Sequence, residues 1–246
     1  KRHEAQLKNL LPQVDLLSME CSRDIVIAKE FGFVGEIFPP FPVTGGYELL
    51  VQKSDSPKTP PSARKVILIK GHTRFVGRGL IALDAIEKVA DLLADYEIIV
   101  YSADPQAIRR VRKLVKDTQL NVRSFKRGEL PHYELLSFFK SARIYVGISL
   151  SDGISVSLQE AMVHGAFPIQ TDTSCIDEWI IDGQGGFIVR NSDFQRLDSL
   201  LKRALDDDAL VDTAAEINYS IASERLDREI VLRLSADFYE KVPLKI

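Results

Sequence analysis

From residue 65 onward the chain alternates between two hydrophobic rhythms. Near-continuous apolar runs occupy residues 65–70, 97–102, 120–125, 143–148, 166–170 and 186–189, with Val66-Ile67-Leu68-Ile69 the purest of them. Such runs suit strands buried on both faces. Between them apolar positions recur every three or four residues, which predicts helices near 78–94, 105–117, 131–141, 155–165 and 174–181, then near 192–205, 208–221 and 223–241. Strands alternating with helices of this length form right-handed βαβ units, so the fold class is α/β: a doubly wound, parallel, Rossmann-like sheet.

The first quarter of the chain has a different texture. Two short helix–strand units are expected, 4–11 with 14–17 and 22–31 with 34–38, too few strands for a sheet that stands alone. Six of the eleven prolines then fall between residues 39 and 61, beside Gly45-Gly46 and a polar run. Proline fixes φ and removes a backbone donor, so this stretch is expected to be an ordered loop or linker. The remaining composition narrows the picture by exclusion. A net charge of −3 gives no basic footprint for nucleic acid, and no apolar run approaches a membrane span. Two cysteines are too few for a disulfide scaffold, so a cytoplasmic setting is expected. A basic run at Arg109, Arg110, Arg112, Lys113 and Lys116 lies opposite Ile108, Val111, Leu114 and Val115. It reads as a solvated helix face, with peripheral contact to an anionic membrane as its other use.

In doubly wound sheets, ligands bind at the carboxyl ends of the strands, where loops feed helix N-termini. The first such loop, residues 71–79, holds Gly71, His72, Gly77, Arg78 and Gly79. Glycine allows close backbone approach, and a guanidinium at a helix start suits a diphosphate, although a glycine-rich turn with a surface arginine explains the loop equally well. The spacing matches neither the dinucleotide fingerprint nor the P-loop. The second loop, residues 149–155, leads through Asp152, Gly153, Ile154 and Ser155 into a helix starting at Val156, with Ser155 as its expected cap. Glu160 follows about 7 Å along that helix. Side chains tilt toward a helix N-terminus, which brings its carboxylate toward the same mouth, within reach of ribose hydroxyls, although for either residue alone the plainer reading is that Asp152 is a turn residue and Glu160 a solvated helix residue. A third loop places Ser174 and Asp177 in an approximate capping box. Asp206-Asp207-Asp208 lies between two helices and reads as capping rather than as a metal site; His132 and His164 lack a second ligand at metal spacing and read as structural.

From about residue 63 these motifs resemble the C-terminal, donor-binding domain of retaining GT-B glycosyltransferases of family 4. The carriers are Ser149-Leu150-Ser151-Asp152-Gly153-Ile154-Ser155, Glu160-Ala161, Gly165-Ala166-Phe167-Pro168-Ile169, Asp177-Glu178-Trp179-Ile180 and Asp182-Gly183-Gln184-Gly185-Gly186, in that order, with Gly71-His72 and Arg78-Gly79 ahead of them. The resemblance implies that Glu160 holds the ribose of a nucleoside-diphosphate sugar, UDP- or GDP-linked. It implies that Asp152 contacts hexose hydroxyls and that the Gly153 to Val156 amides lie near sugar and phosphates. It further implies that Arg78 takes the diphosphate in place of a family lysine, and that Phe125 and Lys126 border the base. Catalysis is expected to proceed with retention and without a metal or other cofactor. Asp152 replaces the family's first glutamate, His72 an arginine, and Ser174-Cys175 a glycine pair. The same resemblance makes residues 1–62 the tail of an acceptor domain plus linker, 63–222 the donor domain and 223–246 a crossover helix. On that reading the chain is a donor-binding fragment with little turnover of its own. Its acceptor, whether glycan, lipid-linked sugar or small molecule, is chosen elsewhere. A sugar-nucleotide epimerase on the same architecture and a non-catalytic α/β binding module are the alternatives.

Overall fold

The structure, a computed structural model, describes residues 2–42, 44–49, 59–173, 175–190 and 192–242. The chain divides into two compact units, a larger one of residues 55–222 and a smaller one of residues 1–54 with 223–246. The whole polar run inside the expected linker (residues 52–58) lies outside the described residues, as does Ser174 of the expected capping box.

In the larger unit six parallel strands stand in the order β5-β4-β3-β6-β7-β8. They are β3 (Val66–Lys70), β4 (Glu97–Ala103), β5 (Asn121–Lys126), β6 (Ala142–Gly147), β7 (Phe167–Thr171) and β8 (Phe187–Val189), numbered after β1 and β2 of the smaller unit. The expected doubly wound sheet is therefore present. Its direction of winding reverses between β3 and β6, which pair in parallel from Val66↔Ala142 to Ile69↔Val146. The helices are α3 (Gly79–Lys88), α4 (Pro105–Thr118), α5 (His132–Ser141), α6 (Val156–His164), α7 (Leu197–Asp206) and α8 (Asp208–Arg225).

Strand periodicity sorts the core into two layers. Ile67 and Ile69 point to one face, where Leu83, Ile86, Val111, Leu114, Leu201 and Val211 cover them. Leu68 points to the other, against Ile99, Tyr101, Phe139, Tyr145 and Ala161. At about 1.5–3 kcal/mol for each large aliphatic side chain, these layers supply the main driving force. Buried polar groups are anchored. Arg143 donates to the carbonyls of Ala204 and Leu205, each at 3.0 Å, to that of Ser62, and pairs with Asp208 at 2.7 Å. Asp207 accepts from the Leu210 amide at 2.9 Å, so the acidic triplet serves the α7–α8 junction.

Local signals worked where the chemistry is strong. Asp104 caps α4 and Pro105 follows at its first position, where proline costs nothing. Gly165 ends α6 at φ +74°, a conformation that suits glycine. One expected helix, near 174–181, does not form among its described residues, which from 175 onward make only a 3-10 turn at Ile176–Glu178. The reason lies just downstream. Asp182 bridges Gly186 and accepts from the Ile188 amide at 2.9 Å, which turns the chain away before a second helical turn can form. The extra helix N-terminus expected there is therefore missing. The basic face of α4 is also less uniform than its sequence implies, because Arg110 pairs with Asp84 at 2.8 Å and Glu87 at 2.7 Å.

In the smaller unit β1 (Leu16–Leu17) pairs in parallel with β2 (Glu36–Ile37), and α1 (Arg2–Leu10) and α2 (Ser22–Glu30) flank them around Leu11, Ala28 and Phe33. Asp227 caps α9 (Arg228–Glu240), and Phe238 packs edge-on against Phe38 at 5.5 Å between ring centres. Among the described residues no helix is long and apolar enough to cross a membrane.

Candidate functional site

The reversal between β3 and β6 leaves a crevice at the carboxyl end of the sheet, the favoured ligand position in such folds. The loops that leave these two strands are stitched together there. Arg78 N donates to Ile148 O at 3.0 Å, Leu150 N donates to Val76 O at 2.7 Å, and Gly77 forms an antiparallel bridge with Ser149. Gly77 has to be glycine, since a Cβ would lie 2.2 Å from the His72 carbonyl oxygen. Asp104 fixes the first loop from the side, accepting from the Thr73 amide at 2.9 Å and from its hydroxyl. Burial opposes ionisation of Asp104, but hydrogen bonds from Thr73, Ala107 and Gln106 outweigh it and hold its pKa at about 2.

Beside this stitch lies a cavity of about 500 Å³, a suitable size for a small-molecule ligand. Lys70, His72, Arg74 and Arg127 bring positive or ionisable nitrogen to its walls; Asp152, Ser149 and Ser151 bring oxygen. Ser102 also lines it, at φ +51° where β4 slips register against β5. A non-glycine residue in that conformation stores strain of the kind that clusters at functional sites. Lys70 Nζ lies 3.7 Å from Asp152 Oδ2, with both side chains about one-third exposed.

The expected site residues divide between this cavity and its surroundings. His72, Gly77 and Asp152 line it. Gly71 lies buried beneath, where a Cβ would meet Val100 at 2.6 Å. Arg78 caps α3 but does not line the cavity. Its guanidinium donates to the carbonyls of Gly77 at 2.7 Å and Phe75 at 3.1 Å. Ile154 and Ser155 are buried, Val156 is exposed at the first position of α6, and Gly153 accepts from the Cys175 amide at 3.2 Å. Ser155 is the residue preceding α6, as expected, but its hydroxyl makes no cap bond. Phe125 packs on Phe138 with Arg123 over its ring, and the Lys126 amide donates to Glu129 at 2.6 Å.

Glu160 is almost wholly buried on α6, and its Oε1 lies 2.7 Å from Nε2 of His132 at the start of α5. Burial raises its pKa, while the His132 hydrogen bond and charge, then Lys70, pull it back. Beneath it Tyr101 and Tyr145 are buried, and burial raises both phenols. The Tyr145 hydroxyl lies within hydrogen-bonding reach of the Tyr101 and Ser155 hydroxyls. Sequence reasoning missed Lys70, Arg74, Arg127 and the partnership of His132 with Glu160. Lys70 had a visible signal, a charge ending an otherwise apolar strand. His132 had none, since 28 positions separate it from Glu160. The second histidine, His164, is buried as expected of a structural residue. Burial, then repulsion from Lys140, Arg64 and His132, lowers its pKa to about 4.

A family profile described as "Glycosyl transferases group 1" matches residues 52–221, more than half of the chain. The chain belongs to the group 1 glycosyl transferases. Solved structures with the same fold include the pneumococcal O-GlcNAc transferase GtfA in complex with UDP and GlcNAc, at TM-score 0.75 and 18% identity over 97% of this chain and 47% of that one. TarM of S. aureus, in complex with UDP among other ligands, gives TM-score 0.72 and 16% identity over 98% of this chain and 47% of that one. HepE of Anabaena, in complex with UDP and glucose, gives 0.73 and 14% over 98% and 67%. This glycosyl transferase chain therefore shares its parallel Rossmann-like α/β fold with part of these structures and spans less than half the length of GtfA and TarM. No curated protein matches it by sequence.

Proposed function

We propose that the larger unit of this group 1 glycosyl transferase binds a nucleoside-diphosphate sugar, UDP- or GDP-linked, for transfer of the sugar to an acceptor with retention, as in family 4. The observation that carries this reading is the cavity at the strand reversal. It sets cationic side chains and the Asp152 carboxylate beside α6, whose flank buries the Glu160 carboxylate. The first N–H groups of α6 have no carbonyl within the helix, a standing site for an anion. On this reading Glu160 accepts the ribose hydroxyls and Asp152 those of the hexose. The amides from Gly153 to Val156 flank the phosphates, and Phe125 and Lys126 border the base. Arg78, expected on the diphosphate, is instead engaged by the Phe75 and Gly77 carbonyls and is left out of this reading.

In the reaction the bond from the anomeric carbon to the diphosphate oxygen breaks and the diphosphate leaves with the electron pair. The acceptor oxygen bonds to the same face and passes its proton to the departing diphosphate oxygen. Preorganised positive groups stabilise the charge that develops on the leaving oxygen, the task a metal performs elsewhere. The smaller unit is read as part of a second domain that faces the acceptor, with peripheral contact to a membrane as one way of reaching a lipid-linked one. Titration of the chain with UDP, GDP, ADP and their sugars tests the donor reading. One nucleotide and its sugar should bind saturably and stabilise the fold by mass action. Binding of none would leave a non-catalytic module. Product analysis on a catalytically complete protein separates transfer from epimerisation, and NMR of the new linkage reads its anomeric configuration.

A further inference from the structure

We infer that Lys70, rather than Arg78, is the cation that receives the diphosphate of the donor, and that Asp152 is its counterion only until a phosphate displaces it. The inference rests on the donor reading above and adds a residue to it.

Lys70 ends a strand whose three preceding residues, Ile67, Leu68 and Ile69, are fully buried. By strand alternation its side chain lies on the face of Leu68, the layer that also contains Tyr145 and Ala161 of α6. An ammonium at the rim of an apolar layer needs negative charge nearby. Asp152 supplies it loosely: 3.7 Å is beyond hydrogen-bond length, and the partly exposed pair is held by weak attraction. The same ammonium acts electrostatically on Glu160 and on the Tyr145 phenol. Lys70 is therefore beside the carboxylate assigned to the sugar and within electrostatic range of the one assigned to the ribose. A diphosphate joins those two groups and has to pass the same place.

A second observation points the same way: Lys70 lines the cavity together with His72, Arg74 and Arg127, so an anion entering it meets several nitrogen-bearing side chains at once. Arg78, in contrast, is turned away and occupied by two carbonyls of its own loop.

The test is calorimetry on the full chain with UDP, GDP, ADP and the corresponding nucleosides, for wild type and for Lys70→Met, Lys70→Arg, Arg78→Met and Asp152→Asn. Lys70→Met should weaken the bound nucleoside diphosphate by about tenfold or more, the worth of a charge-assisted contact, and leave the nucleoside unaffected. Lys70→Arg should restore most of the loss. Arg78→Met should stay within about twofold of wild type. Asp152→Asn should tighten the free diphosphate by about two- to fivefold, because the competing counterion is gone, and should give no such gain for the nucleotide sugar. Unchanged affinity in Lys70→Met would overturn the inference, as would equal losses for nucleoside and diphosphate, which mark a structural role. So would an equal loss in Arg78→Met. A wild-type chain that binds none of these nucleotides would remove the donor reading and this inference with it. Binding that is indifferent to Lys70 removes this inference alone.

Discussion

Replacing His132 with alanine removes one bond, Nε2 to Glu160 Oε1 at 2.7 Å, from a carboxylate that is otherwise buried. A hydrogen bond to a charged group is worth about 1.5–3 kcal/mol. The His132 side chain is 66% exposed, so water can take its place and the net loss falls to about 1 kcal/mol, or roughly fivefold in an equilibrium constant. Two consequences follow for Glu160. Its carboxylate loses the contact that fixes its orientation, and its pKa, already raised by burial, loses the partner that lowers it and rises further. The ionised form accepts two diol hydrogen bonds; the protonated form does so poorly. Nucleotide affinity in His132→Ala should therefore fall about fivefold near neutrality. As pH falls, binding should be lost at a higher pH than in wild type. The assay is titration with the ribonucleotide and its 2′-deoxy analogue from about pH 5 to about pH 8. Preference for the ribonucleotide should shrink in the variant, and His132→Gln should recover part of it. An unchanged preference together with an unchanged pH profile would refute the idea that His132 positions Glu160.

Glu160→Gln should abolish ribose discrimination yet stabilise the fold. A carboxyl whose folded pKa is raised contributes most stability below its unfolded value of 4.5 and loses it as pH rises through the folded value. The gap in favour of the variant should therefore open with rising pH, to about 1 kcal/mol or roughly 2–4 °C in Tm at neutrality, read by thermal melts across pH. Gly77→Ala forces its Cβ into the His72 carbonyl and should break the loop stitch. Nucleotide affinity should drop by more than about tenfold while the circular dichroism melt stays near wild type. Arg143→Met removes a buried guanidinium that anchors Ser62, Ala204, Leu205 and Asp208, and should cost about 3–5 kcal/mol and roughly 10 °C in Tm. Chelation by EDTA should leave nucleotide titrations unchanged if positive side chains take the role of a metal.

The sequence by itself determined the sheet. The strand runs are largely apolar, the edge strand β5 least so, and periodicity placed all six within a residue or two; it placed most of the helices too, but carried α3 past its end at Lys88 and put a helix near 174–181. It also located Asp152 and Gly77, because turn residues and strand ends announce themselves locally. What only the tertiary structure decided is which side chains share a space. Residues 176–180 carry inward-facing apolar positions at helical spacing, yet the bridge of Asp182 to Gly186 stops the helix. Arg78 sits at the helix start that its position implies, but the loop carbonyls beside it take its guanidinium. Lys70, His132 and Glu160 belong to three different elements, and no local pattern joins them. They meet because β3, α5 and α6 contribute to one layer of the sheet, and layer membership follows from strand order, which is fixed by crossovers rather than by neighbours in the chain.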